Sequence, residues 1–437
     1  MIINRNRYLN KLISKKENGL IKVITGIRRC GKSFLLFNLY HNYLNSIGIK
    51  DDTIIELALD EAENARYRNP LELDAFVKTR TKDTTKKYYV FLDEIQKVEP
   101  IQNPYLDPYL ADGNAKIGFV DVLLGLMKRP NIDLYVTGSN SRMLSSDIMT
   151  EFKDRGDEIR VSPLTYSEFY NAFAGEKRYA WREYCTYGGM PLVLSKQTHE
   201  EKSKYLKDLF AKTYISDIIE RNRIANEKWV LEDILNVTAS SIGSLTNSSK
   251  LANTFQSTKH ISITPNTIER YLGFFIDAFI MQKASRFEVK GKKHINALLK
   301  YYFTDVGLRN ARLNFRQQEE SHIMENIAFN ELIARGYDVD VGIVEYNHKN
   351  SQGKNIRSQL EIDFVANKGS LRYYIQSALN IDSEEKRDQE TNSLKRVPDS
   401  FRKIVVVRDD IIPWHDDNGI LYIGIEQFLL DEKAIDM

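Results

Sequence analysis

Cysteine is nearly absent from the chain, which has only Cys30 and Cys185 among its 437 residues. Two thiols cannot form a disulfide framework, and their scarcity fits a reducing compartment. Long apolar runs are missing as well. The most apolar stretch, residues 273–281, is far shorter than a bilayer span and contains Asp277. Residues 1–16 also lack the apolar run of a signal peptide. We therefore expect a cytoplasmic protein that does not enter the membrane.

An excess of charge of one sign is also missing. The 62 Lys and Arg residues offset 60 Asp and Glu residues and leave a net charge of +2, so any contact with nucleic acid requires a local basic patch. The seven histidines lack close ligand spacing, which gives a zinc site little support. What is present is ordinary core-forming composition, with 42% hydrophobic and 28% charged residues. The length corresponds to roughly two to four domains.

The first part of the chain alternates strand patterns with helix patterns. The strand patterns begin near Ile21, Thr53, Lys87 and Ile132. They are nearly continuous apolar runs, as expected for parallel strands that are covered on both faces. Residues 99–118 are rich in Pro, Asn, Asp and Gly, and we expect them to form a surface loop. The alternation predicts an α/β fold with a doubly wound parallel sheet.

An eight-residue motif lies between the first strand pattern and the helix pattern that follows it. Its sequence, GIRRCGKS, fits the P-loop pattern G-x-x-x-x-G-K-[ST] in the strand-to-helix context that phosphate binding requires. Backbone N–H groups of such a loop converge on a polyphosphate, and the helix N-terminus adds a favourable dipole. Lys32 would reach the β and γ oxygens, and Ser33 would coordinate Mg²⁺. The predicted ATP site comprises Gly26, Ile27, Arg28, Arg29, Cys30, Gly31, Lys32 and Ser33.

Polar residues follow the third and fourth strand patterns. Asp93 would hold Mg²⁺ and Glu94 would polarise the attacking water, with two solvated acids at a strand end as the alternative. Thr137, Ser139 and Asn140 are placed to orient water beside the γ-phosphate, unless they form a turn without chemistry. These residues predict hydrolysis in addition to binding.

Arg155 follows the fourth strand pattern within a charged run. It could reach a phosphate of a neighbouring subunit as a charge-stabilising finger, which would require a homo-oligomer. A surface arginine without this role is the alternative.

The patterns predict four segments. Residues 1–170 form the P-loop domain, and residues 171–235 are helical and charged, which suits a lid or connector. Residues 236–310 have two helix patterns followed by a two-stranded hairpin, the order of a winged helix. Residues 311–437 form a second, smaller α/β unit.

Segments along most of the chain carry a family resemblance. They are TGIRRCGKS, FLDEIQ, VTGSNSRML, RVSPLTYSEFY, YGGMP, YISDIIERNRI and KYYFTDVGLRN. With them the chain resembles bacterial and archaeal AAA+-type P-loop ATPases that join an N-terminal ATPase to a C-terminal region of unknown function. The resemblance implies that residues 26–33 bind nucleotide, that Asp93 and Glu94 serve metal and water, and that Asn140 is a sensor. The chain departs from the usual pattern in the long loop after Gln96 and in FKDRG, where relatives tend to show a Gly-Arg pair, which weakens the case for Arg155.

Similar proteins carry a winged helix, and the block from 236 to 310 agrees with one. Its second helix pattern and its hairpin would offer DNA the side chains of Asn266, Thr267, Arg270, Lys290, Lys292 and Lys293. Such phosphate contacts give salt-sensitive affinity that is mostly independent of sequence. The alternative is a winged helix used for protein contacts or domain packing.

The last block resembles a restriction-endonuclease-like fold. Glu325 and Asp363 stand where that fold has metal-binding acids, whereas Gln376 and Ala378 stand where it has an acid and a lysine. An amide is a poorer Mg²⁺ ligand than a carboxylate, and alanine supplies no ammonium group to activate water. We therefore expect a degenerate domain without cutting activity, although Glu361 and Asp363 could hold a metal weakly.

Together these patterns predict an enzyme, an ATP- and Mg²⁺-dependent ATPase of AAA+ type. ATP turnover would switch the arrangement of the other domains on DNA. The first alternative is an ATP-gated protein-interaction module that does not bind DNA. The second is a metal-dependent nuclease.

Overall fold

The protein is described here from a computed structural model, which covers residues 2–106, 116–139, 155–222, 224, 228–291, 293–316, 319–349 and 353–437. The chain divides into two compact units. The first comprises residues 1–162 and 277–279, and the second comprises residues 163–276 and 280–437. Within the described residues, no helix is both long and apolar enough to span a bilayer.

The first unit is built on a parallel sheet. Its helices are α1 (Asn6–Ser14), α2 (Lys32–Phe34, continuing through a π-helical stretch Leu35–Tyr40 into His41–Ser46), α3 (Pro70–Arg80) and α4 (Phe119–Met127). Its strands are β1 (Ile21–Thr25), β2 (Ile54–Ala58), β3 (Tyr88–Asp93), β4 (Ile101–Gln102), β5 (Lys116–Ile117), β6 (Ile132–Thr137) and β7 (Gly156–Arg160). Five of these strands form one sheet in the order β2-β3-β6-β1-β7, and all neighbouring pairs in it are parallel.

The apolar character of the strands explains this architecture. Every residue of β1, β3 and β6 is buried, as expected when helices cover both faces of a parallel sheet. Val23, Val90 and Leu134 from these strands pack in one core cluster with Leu73 of α3 and Leu123 of α4. The predicted α/β parallel-sheet fold of P-loop NTPases is confirmed. The short antiparallel pair of β4 and β5 lies within the segment that was predicted to be a loop.

The second unit combines helices with a mixed sheet. Its helices are α5 (Tyr166–Ala172), α6 (Ala180–Tyr187), α7 (His199–Asp208), α8 (Ser216–Arg221), α9 (Lys228–Ser240), α10 (Ser248–Lys259), α11 (Pro265–Asp277), α12 (Val306–Arg312), α13 (Glu320–Ala334), α14 (Glu384–Lys395) and α15 (Ile425–Leu430). Its strands are β8 (Met281–Glu288), β9 (Lys293–Phe303), β10 (Asp338–Lys349), β11 (Asn355–Lys368), β12 (Leu371–Ala378), β13 (Arg402–Val407), β14 (Trp414–His415) and β15 (Ile420–Gly424).

The hairpin of the predicted winged helix belongs to this larger sheet. The eight strands follow the order β14-β15-β13-β12-β11-β10-β8-β9. Strand β8 pairs antiparallel with β9 and parallel with β10. The helix, helix and hairpin order is therefore present, and its two strands continue the sheet of the last block. The winged-helix assignment and the division at residues 170, 235 and 310 stay predictions.

Two of the segments that carry the family resemblance, YGGMP and KYYFTDVGLRN, meet inside the second unit. Asp305 caps α12 and accepts a hydrogen bond of 2.6 Å from the backbone N–H of Gly189. A Cβ atom on Gly307 would lie 1.9 Å from the carbonyl oxygen of Tyr187. Asn310 donates to the carbonyl oxygen of Cys185 at 2.8 Å. These two segments therefore join parts of the fold that are distant in sequence.

Candidate functional site

The phosphate-binding motif forms the turn between β1 and α2. Gly26, Arg29 and Gly31 have positive φ angles of 141°, 65° and 101°, a conformation that glycine adopts at little cost. A Cβ on Gly26 would lie 2.1 Å from the carbonyl oxygen of Val161. Both the backbone conformation and the close approach therefore require glycine at position 26.

Lys32 begins α2 and is 4% exposed. Its Nζ atom donates hydrogen bonds of 3.0 and 3.1 Å to the carbonyl oxygens of Gly26 and Ile27. The ammonium group therefore lies against the loop that a phosphate chain would occupy. It is held there by neutral acceptors, which a charged phosphate oxygen would outcompete.

Three side chains from different elements meet at the carboxyl edge of the sheet. Ser33 Oγ donates to Asp93 Oδ2 at 2.7 Å, and the Thr137 hydroxyl donates to Asp93 Oδ1. Burial raises the pKa of Asp93, while the hydrogen bonds from Thr137 and Ser33 oppose that rise. Mg²⁺ prefers hard oxygen ligands, and the contact between Ser33 and Asp93 brings two of them together. The residues present therefore fit a magnesium ion bound between α2 and β3.

Glu94 follows β3 in the left-handed backbone region, with a φ of 52°. Its backbone N–H donates to Thr137 Oγ1 at 3.0 Å, and its carboxylate accepts a hydrogen bond of 3.3 Å from Ser139 Oγ. The Gln96 amide also donates to this carboxylate. The unusual backbone conformation and these contacts fix the direction of the carboxylate beside Asp93.

The other predicted catalytic residues are Thr137, Ser139, Asn140 and Arg155, of which the first two contact the acids. Thr137 and Ser139 contact the two acids, whereas Asn140 lies outside the described residues. Arg155 is exposed and precedes β7, and its carbonyl oxygen accepts a bond of 3.0 Å from the N–H of Ile21. Because β7 runs parallel to β1, Arg155 lies at the edge of the sheet opposite the phosphate loop of its own chain. A finger role toward a neighbouring subunit stays a prediction.

The predicted DNA-binding residues lie on α11 and at the β8–β9 hairpin. Asn266 and Arg270 are exposed on α11, and Thr267 is half-buried and hydrogen-bonded to Thr264. Lys290 is exposed, and its Nζ donates to the carbonyl oxygen of Glu345 at 2.8 Å. Lys292 lies outside the described residues, and Lys293 is described only as the first residue of β9. Asn266, Arg270 and Lys290 are therefore the members of the predicted set whose side chains are described as exposed.

The acidic residues of the last block surround a buried lysine. Lys300, on β9 and 2% exposed, lies 2.8 Å from Glu325, 2.6 Å from Glu361 and 3.4 Å from Asp363. Burial and the charge of Asp363 raise the pKa of Glu325 to about 7, against the opposing effect of Lys300. The ammonium group that is missing at Ala378 is therefore present at this cluster, supplied by a different strand.

The remaining positions of the predicted degenerate metal site support the same cluster. Gln376 Oε1 accepts a hydrogen bond of 3.4 Å from the backbone N–H of Asp363, and the N–H of Ser377 donates to Asp363 Oδ2 at 2.9 Å. Among the described residues, no group of three or more His, Cys, Asp or Glu side chains is arranged to hold a metal ion. A lysine, three carboxylates and a neutral amide form this part of the second unit.

Three residues that contact the predicted sites were not predicted from the sequence. Gln96 carried a signal, because it follows Glu94 by two residues in FLDEIQ. Arg5, which contacts the phosphate loop, precedes the first strand by 16 residues and matches no motif. Lys300 lies 63 positions before Asp363 in the sequence, and no local spacing marks its contact with the carboxylates.

Two family models and two relatives from other organisms match the chain. A family model described as an AAA domain matches residues 18–170, and a model of a domain of unknown function matches residues 178–319. An uncharacterized protein of Haemophilus influenzae is 30% identical over 410 residues, which cover 93% of this chain and 93% of that protein. An uncharacterized protein of Methanocaldococcus jannaschii is 27% identical over 451 residues, covering 99% of this chain and 88% of that protein.

A solved structure, the Walker-type ATPase of Pyrococcus abyssi, is similar with a TM-score of 0.48 and 16% identity, and the match covers 71% of this chain and 96% of that one. The match to the Haemophilus influenzae relative extends over nearly the whole of both chains. The AAA model spans both the phosphate loop and the Asp93–Glu94 pair. The chain therefore belongs to a family of AAA-type P-loop ATPases in which a domain of unknown function follows the AAA domain.

Proposed function

We propose that the protein binds ATP with Mg²⁺ at residues 26–33, hydrolyses it, and uses the turnover to switch the arrangement of its second unit on DNA. The observation that carries the proposal is the meeting of Ser33, Asp93 and Thr137 at the carboxyl edge of the parallel sheet. This is where P-loop proteins hold the metal ion and the γ-phosphate.

Each residue of the site has a task in this reaction. The backbone N–H groups of the loop and the Lys32 ammonium bind the phosphate oxygens, and Ser33 and Asp93 hold the metal. A magnesium ion held by Ser33 and Asp93 would supply positive charge against the negative charge that develops during phosphoryl transfer. Glu94 accepts a proton from the attacking water and orients it. Thr137 supports both acids, because its hydroxyl accepts from the Glu94 N–H and donates to Asp93.

The exposed positions on α11 support the DNA part of the proposal. Asn266 and Arg270 are four residues apart and both exposed, so they occupy one face of the helix. Lys290 adds a positive charge at the hairpin. A duplex bound through these side chains would contact the protein mainly through phosphates.

The test is phosphate release by the purified protein with and without duplex DNA, across a series of salt concentrations. We expect turnover with ATP and Mg²⁺, an increase with duplex DNA, and loss of that increase as salt rises. A variant carrying Asn266→Ala, Arg270→Gln and Lys290→Gln should keep the basal rate and lose the stimulation. Basal turnover that DNA leaves unchanged would favour the ATP-gated protein-interaction module instead.

A further inference from the structure

Helix α1 lies outside the part of the chain that matches the AAA domain model, which begins at residue 18. It is nevertheless packed into the ATPase unit, because Tyr8 and Leu12 are 1% and 0% exposed. The residue that caps this helix, Arg5, is 3% exposed. Burying an arginine side chain costs free energy unless its N–H groups are hydrogen-bonded. The acceptors of these hydrogen bonds therefore indicate the role of Arg5.

Arg5 joins the phosphate loop to the end of β7. One guanidinium nitrogen donates to the carbonyl oxygen of Cys30 at 3.0 Å, and another donates to the carbonyl oxygen of Ser162 at 2.7 Å. The guanidinium also lies 4.7 Å from the centre of the Tyr8 ring, and the Tyr8 hydroxyl accepts a bond of 3.1 Å from the N–H of Ser162. The loop, the strand end and the helix are thus connected through one side chain.

The bond to Cys30 fixes the direction of a peptide plane inside the phosphate loop. In a planar trans peptide, the carbonyl of one residue and the N–H of the next point in opposite directions. When Arg5 holds the Cys30 carbonyl, the N–H of Gly31 is directed away from Arg5. The orientation of the Gly31 N–H matters for phosphate binding, because loops of this kind bind phosphate through N–H groups that already point toward the site before the ligand binds.

We propose that Arg5 is a positioning residue that holds the phosphate loop in its binding conformation by linking Cys30 to Ser162. Its two donors in a fixed fork suit this task, whereas a lysine presents one compact charge and cannot keep the same geometry. The expected effect of Arg5 on ATP affinity rests on the proposed function. Its effect on the conformation of the loop does not require nucleotide.

The first test measures hydrogen–deuterium exchange in the nucleotide-free protein. In the Arg5→Met variant we expect the amides of residues 28–32 to exchange about tenfold faster than in wild type, since the loop loses a restraint on local opening. Leu12→Ala serves as the comparison, because it removes a buried apolar side chain of the same helix that cannot donate a hydrogen bond to Cys30 or Ser162. Equal effects of the two variants on these amides, or none from Arg5→Met, would overturn the proposal.

The second test measures ATP affinity by calorimetry at a temperature where all variants are folded. We expect Arg5→Met and Arg5→Lys both to weaken ATP binding by about ten- to a hundredfold, and Arg80→Met, at an exposed position of the same unit, to leave it unchanged. Full affinity in Arg5→Lys would show that charge alone is needed and would overturn the positioning role. ATP binding by wild type with unchanged affinity in Arg5→Met would overturn this inference and leave the proposed function standing. Absence of ATP binding in wild type would instead refute the proposed function.

Discussion

Glu94 combines a left-handed backbone conformation with a carboxylate that contacts Gln96 and Ser139. A non-glycine residue in this region of φ is uncommon and costs free energy, and such residues cluster at functional sites. Since Asp93 contacts the Ser33 hydroxyl, the proposed function assigns the activation of water to Glu94. The proposal therefore gives the two neighbouring carboxylates different tasks.

This division of tasks predicts the behaviour of Glu94→Gln. The amide keeps the shape of the side chain but cannot accept the proton of water, so turnover should fall by about 100-fold or more while ATP affinity is retained. Phosphate release and calorimetry on the same preparation measure both quantities. Glu99→Gln, an exposed substitution in the same unit, should change neither, and wild-type turnover in Glu94→Gln would move the role of general base to another residue.

A second residue-scale prediction concerns Lys300, whose ammonium group balances Glu325, Glu361 and Asp363. Lys300→Met should leave these carboxylates without the positive charge that compensates them, and it should lower the free energy of unfolding of the second unit by about 3–5 kcal/mol. It should also raise the pKa of Glu325 above its value of about 7. Thermal unfolding measures the loss, with Lys283→Met, exposed on the neighbouring strand, as the control. Equal stability of the two variants would show that the cluster does not depend on its lysine.

The residues of the phosphate site were predictable because their spacing is local. Residues 26–33 fit one contiguous pattern, and Asp93 and Glu94 end an apolar strand, so parallel strands were expected to bring them to the same edge. Lys300 was not predictable in this way. Its partners Glu361 and Asp363 are on β11, which β10 and β8 separate from β9 in the sheet. Their contacts with Lys300 therefore depend on tertiary packing that no local sequence pattern specifies.

At the scale of elements, α12 is positioned by the close approach of Gly307 to α6. A Cβ at position 307 would lie 1.9 Å from the carbonyl oxygen of Tyr187 and 2.8 Å from the backbone nitrogen of Gly188. Real Cβ atoms do not approach backbone atoms so closely, so the helices would have to separate. The glycine is therefore a packing requirement between the two elements.

Two glycine substitutions test this requirement. Gly307→Ala should destabilise the second unit by about 3 kcal/mol or more, because the added methyl group has no room. Gly273→Ala lies inside α11, where a Cβ meets nothing within 4 Å, and should stabilise by about 0.5–1 kcal/mol through helix propensity. Denaturant or thermal unfolding of both variants measures these changes, and a Gly307→Ala protein as stable as Gly273→Ala would contradict the packing account.

Most elements of the first unit were predictable, because nearly continuous apolar runs alternate with helix patterns. The elements of the second unit were predicted in type more successfully than in arrangement. The hairpin of β8 and β9 was expected from the sequence, yet its place beside β10 in an eight-stranded sheet was not. Local patterns define a hairpin, whereas its neighbour in a sheet depends on which distant edge is free to pair.

At the scale of the whole molecule, the residues of the proposed function are divided between two compact units. The first unit has the phosphate loop, both acids and the helix that supports the loop. The second has the exposed positions on α11 and the buried cluster around Lys300. The proposed switch requires that nucleotide in the first unit changes the second, and it begins with nucleotide binding.

A protein that does not bind ATP could not perform the proposed switch, so nucleotide binding is the property to measure. Calorimetric titration of the wild-type protein with ATP and Mg²⁺ should give a saturable heat with one site per chain. The same titration of Lys32→Ala should lose that heat or show much weaker binding, because the ammonium group that contacts the β and γ phosphates is gone. No heat with wild type, or equal affinity in a folded Lys32→Ala variant, would refute the binding of ATP at residues 26–33.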